Sequence, residues 1–149
     1  MTKIAINFLL FVFGALYAFS NSYAASNKEE YELQERCANS AKEFFKLNHG
    51  SGIFKTKYGQ AEAVFTNHYN RKLNKCFVMT TLTDYVYKNS RPEYAKSFVI
   101  TVLDINDNKE CGRFYNIYQQ DKPAFCRVED KPCHDILEWE ALIKPYMEE

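Results

Sequence analysis

Between residues 26 and 47, apolar side chains recur every three or four positions: Leu33, Cys37, Ala41 and the Phe44-Phe45 pair. That spacing draws one apolar stripe along a charged segment and predicts an amphipathic helix. Gly50 follows, and glycine readily takes the left-handed conformation that closes many helices. Ala38 and Ala41 are small enough to bring the helix close to a sheet. Its polar face mixes both signs, which suits core packing better than a membrane surface.

The pattern then changes period. Residues 61–69, 76–87, 98–103 and 110–118 are rich in aromatic and β-branched side chains and read as four strands. Residues 70–75, 88–93 and 106–109 are polar, with asparagines that tolerate turn geometry, so the connections are short. Three short connections in succession imply an antiparallel meander. Residues 52–59 read as loop with a short strand at Ile53-Phe54, and residues 125–128 as a short edge strand. The 98–103 segment, FVITVL, is expected to be central, with both helices on one of its faces. Asp135, with Glu138 three residues on, marks a helix start. Trp139, Leu142, Ile143 and Tyr146 share one face of that helix, and Pro145 is expected to end or kink it near Lys144. The expectation is an α+β protein: N-terminal helix, four-stranded antiparallel β-meander, C-terminal helix.

The start of the chain has a different character. Met1-Thr2-Lys3 leads into an apolar run over residues 4–19, followed by Ser22-Tyr23-Ala24. A basic start, an apolar stretch and a small-x-small site predict a secretory signal peptide over residues 1–24. The run falls short of the ~20 residues of a spanning helix, so no stable membrane insertion is expected after cleavage. Residues 25–149 are then a single exported domain, periplasmic or secreted. With 19 basic and 19 acidic residues in the whole chain, no long-range field favours nucleic acid.

Export changes the reading of the five cysteines. Disulfides persist outside the cytoplasm, and an odd count leaves one thiol over. Sequence leaves the connectivity open. The most local pairing joins Cys126 to Cys133 and Cys37 to Cys76, with Cys111 as the free thiol.

Candidate chemistry is sparse. Asp104, Asn106 and Asn108 begin a D-x-N-x-N calcium pattern, but Lys109 replaces the required glycine and Tyr115 the closing glutamate. No His-x-x-x-His or zinc-finger spacing joins His49, His68 and His134, so no metal and no cofactor is expected. Cys133-His134 raises the thought of a thiol hydrolase with His68 or His134 as base and Asn67 as orienter. No Cys-x-x-Cys, Gly-x-Ser-x-Gly or phosphate-binding glycine loop is present. The acids gather at helix faces and turns, so paired carboxylates for hydrolysis have little support.

Eleven tyrosines and twelve phenylalanines are the more distinctive feature. Tyr58, Tyr69, Tyr85, Tyr87, Tyr94, Tyr115 and Tyr118 lie in or beside strands, where sheet packing accounts for most of them. An exposed tyrosine face would instead bind a partner, with Asn67, His68, Tyr69, Asn70, Arg71 and Lys72 as its polar rim. The segment NHYNRKLNKCF (residues 67–77) with the closing Lys144-Pro145-Tyr146-Met147 resembles small exported bacterial proteins of unassigned function. That resemblance implies export and assigns no activity. The expectation is a non-enzymatic, disulfide-stabilised binding or interaction module with a protein or envelope partner. A small Cys/His or paired-acid hydrolase and a structural part of an envelope assembly are the alternatives.

Overall fold

The structure is a computed structural model, and it describes residues 27–57, 59–89 and 91–148. The expected signal peptide, residues 1–24, lies outside the described residues, as does Tyr58. The chain divides into two compact units, Met1–Glu35 and Arg36–Glu149. Residues 27–49 are helical (α1). In the first unit, Lys28 and Glu32 pair one helical turn apart at 3.9 Å.

The second unit corrects the four-stranded expectation. Its sheet has seven antiparallel strands in sequence order: β1 (Ile53–Thr56), β2 (Gly59–Asn70), β3 (Lys75–Lys88), β4 (Arg91–Asp104), β5 (Lys109–Ile117), β6 (Phe125–Val128) and β7 (Lys131–Pro132). The three additional strands are two to four residues long. β1 and β6 stand where short strands are expected, at Ile53-Phe54 and residues 125–128, β6 lying inside the sheet rather than at its edge. β7 is too brief to show a period of its own. Gly52 makes β1 possible. It sits at φ +81°, and a Cβ there would lie 2.6 Å from the Ala63 carbonyl oxygen.

Strand alternation sends Cys76 to one face of the sheet and Phe77 to the other. Cys76 is disulfide-bonded to Cys37 of α1, and Phe45 of α1 stacks on Phe65 of β2. The last helix, α2 (Ile136–Met147), lies on the opposite face, where Tyr146 meets Phe77 edge-on at 5.3 Å. The residues of α1 from 36 onward and α2 therefore cover opposite faces, not the same one. The register explains why. Phe77, Met79, Val102, Ile100 and Phe114 share the α2 face, and with Val128, Trp139 and Ile143 they build the main core. Burying each large side chain there contributes about 1.5–3 kcal/mol.

Asp135 caps α2, its carboxylate accepting from the Glu138 amide at 2.8 Å. Glu138 reaches back to the His134 amide at 2.7 Å, and that bond holds its carboxyl below the usual range. Pro145 does not stop the helix, which runs on to Met147. Its last turn is closed from outside and inside together: the Glu148 amide donates to the Lys144 carbonyl at 2.8 Å, and the Asn70 side chain donates to the Pro145 carbonyl at 2.8 Å. Among the described residues no helix is long and apolar enough to cross a membrane.

The two disulfides, Cys37–Cys76 and Cys126–Cys133, close loops of different size, with sequence separations of 39 and 7. Loop-closure entropy then predicts that Cys37→Ser with Cys76→Ser costs about 4 kcal/mol, and Cys126→Ser with Cys133→Ser about 2.5 kcal/mol. Urea unfolding of the two double variants checks both the sizes and their order.

Candidate functional site

Two hairpin turns at one end of the sheet are built alike. In the β2–β3 turn, Asn70 is followed by Asn74-Lys75; in the β4–β5 turn, Asp104 is followed by Asn108-Lys109. Asn74 and Asn108 both adopt φ 51°, a left-handed position that asparagine tolerates. Asn70 and Asp104 are each 1% exposed. The Asn70 Oδ1 accepts from the Leu73 amide at 3.0 Å, and Asp104 Oδ1 accepts from the amides of Asn106 and Asp107 at 3.0 and 3.3 Å. Each buried side chain thus holds its own turn and keeps a second polar atom for something else. Asn70 spends it on α2, and Asp104 on Lys75 of the neighbouring hairpin.

Lys75 also pairs with Asp107 at 2.5 Å. Hydrogen bonds to the two carboxylates hold the ammonium well above the usual lysine range, and the same lysine pulls Asp107 below the usual carboxylate range.

Between these turns and the end of α2 lies a cleft of about 650 Å³. Leu73, Phe77, Cys111, Pro145 and Tyr146 give it an apolar wall, and Lys72, Lys75, Lys109 and Lys144 stand around it with Asp104, Glu129 and Glu148. Lys109 meets Glu129 at 3.4 Å and Lys144 meets Glu148 at 3.5 Å, both pairs well exposed. Such pairs contribute little to stability, so these lysines are free to turn toward a ligand. Lys72 makes no ion pair among the described residues. Burial, with Glu129 alongside, pushes the Tyr146 hydroxyl up, so it stays a neutral hydrogen-bonding group.

Cys111 is the free thiol. It is the unpaired residue of a β-bulge, since Val102 faces Gly112 while Leu103 faces Glu110. Burial pushes its thiol up, which keeps it protonated and unreactive. No histidine lines the cleft. Cys133 is held in its disulfide, and His134 pairs with Glu138 at 3.0 Å on the surface. The thiol–imidazole pair that a Cys/His hydrolase needs is therefore not assembled among the described residues.

The six rim residues expected from sequence are divided by the alternation of β2. Asn67 points toward α1, its Nδ2 lying 3.8 Å from the Cys37 sulfur, while His68 and Asn70 face α2. The Tyr69 hydroxyl donates to Asn74 Oδ1 at 2.6 Å, which ties it into the turn. Arg71 and Lys72 are exposed in the turn, and of the six only Lys72 lines the cleft. Phe77, Asp104, Tyr146 and the thiol of Cys111 were not expected there. The repeated Asn/Asp-x-x-x-Asn-Lys turn was the available signal, because it places two equivalent hairpin ends side by side.

No protein-family model matches the chain, and no curated protein or solved structure matches it. Among the described residues no group of three or more His, Cys, Asp or Glu side chains is placed to hold a metal ion.

The twin turns generate a paired prediction. Asp104→Ala strands two backbone donors and should cost about 2–3 kcal/mol in urea unfolding. Asp104→Asn keeps the turn as Asn70 keeps its own, and should cost less than half as much. Equal losses would mean that the turn bonds are not what Asp104 contributes.

Proposed function

We propose that this protein is a small exported binding module, braced by two disulfides, that receives its ligand in the cleft between the twin turns and the end of α2. The cleft carries the reading: an apolar wall able to bury part of a ligand, surrounded by a few polar groups that orient it. Its lysines favour a partner that presents an apolar group beside an acidic one. Export to the periplasm or the extracellular space rests on the character of residues 1–24 and on the two disulfides, which persist in an oxidising compartment. The partner is a protein or envelope component of matching chemistry. The protonated Cys111 thiol and the lack of a histidine beside it favour binding over turnover.

Anilinonaphthalene sulfonate, an apolar fluorophore with one anionic group, is a direct probe. It should bind saturably at one site. Leu73 is 46% exposed in the turn, so Leu73→Asp should leave folding intact, with a melting shift within about 3 °C. It should weaken the probe about tenfold or more, since the lost apolar contact is worth over 1 kcal/mol. Unchanged probe binding in this variant would remove the cleft as the recognition site.

A further inference from the structure

A second pocket, of about 420 Å³, lies on the other side of the last turn of α2. His68, Met79 and Met147 all line it. The chain has three methionines, and the two beyond Met1 are both here. They come from β3 and α2, 68 residues apart in sequence (147 − 79). On the sheet, Phe77 stands opposite His68 and Met79 opposite Thr66, so Met79 is a same-face diagonal neighbour of His68. Long side chains reach one another across that diagonal. Met147 lines the same pocket from the last turn of α2, two residues beyond the Pro145 carbonyl that Asn70 holds.

The Nε2 atom of His68 is buried and has no hydrogen-bond partner among the described residues. A buried ring nitrogen left this way is destabilising, and a leucine would have filled the same space without that cost. A pocket lined by one imidazole and two thioether side chains offers a soft donor set. Such sets select Cu(I) and chemically similar monovalent ions over harder divalent ones. In an oxidising compartment cysteines are drawn into disulfides, whereas a thioether cannot form one and remains a soft ligand.

We propose that His68 Nε2 and the sulfurs of Met79 and Met147 form a binding site for a soft monovalent cation of the Cu(I)/Ag(I) class. The site is separate from the cleft and does not depend on the function proposed for it. Glu140 and Glu148 also line the pocket and offer hard oxygen donors, so a divalent ion is the competing occupant.

The test uses the folded, disulfide-bonded protein carrying Cys111→Ala, which removes the one free thiol that would compete for the ion. Ag(I) is the redox-inert probe, titrated by calorimetry while the methionine methyl signals are followed by NMR. One equivalent should bind, with the methyl signals of Met79 and Met147 shifting together. Met79→Leu and Met147→Leu, which nearly conserve volume, should each weaken binding about tenfold or more, as should His68→Gln. Zn(II) should bind far more weakly. The proposal is overturned if the double leucine variant binds Ag(I) as the parent does, if the methyl signals stay still, or if Zn(II) binds as tightly.

Discussion

A single side-chain amide decides where the end of α2 lies. The last carbonyls of any helix have no partner within it, and Pro145, lacking an N–H, weakens the turn that carries them. Asn70 answers both. It is fully buried at the end of β2, where its oxygen holds the β2–β3 turn and its nitrogen holds the Pro145 carbonyl. The strand, the turn and the helix end are thereby fixed by one residue. Each proposed site draws a side chain from within two residues of that contact on the helix: Tyr146 lines the cleft, and Met147 lines the histidine–methionine pocket.

The two hairpin ends show how similar sequence can serve different purposes. Asn70 and Asp104 occupy equivalent positions, and each satisfies its own turn first. A neutral amide suits the first because its second partner is a carbonyl. A carboxylate suits the second because its second partner is Lys75. Exchanging them would set an acceptor against an acceptor in one turn and remove a charge partner from a lysine in the other. The Cys37–Cys76 bridge enters β3 one residue after Lys75, so the part of α1 from residue 36 onward is fastened to the same end of the sheet.

Period and capping made much of the sheet and α2 readable in advance, because long strands alternate over many residues and Asp135 with Glu138 is a local signal. The short strands at Ile53-Phe54 and over residues 125–128 were legible from their composition, whereas β7 was not, since two residues carry no period. The placement of the helices failed for another reason. Which face a helix covers depends on the strand alternation at Cys76 and Phe77, and neither helical stripe specifies it. The expected rim over Asn67 to Lys72 was read as a continuous surface, although a strand sends successive residues to opposite faces. The pocket around His68 was out of reach altogether: metal spacing rules look for nearby His and Cys, and Met79 and Met147 meet only through the fold.

The account turns on the Asn70 clasp, and hydrogen exchange on Asn70→Ala tests it most directly. The amides of Met147 and Glu148 should exchange about tenfold faster relative to those of Val102 in the main core than they do in the parent, as the helix end opens on its own. If that ratio is unchanged, the end of α2 is held by packing alone, and Asn70 does not position the two sites.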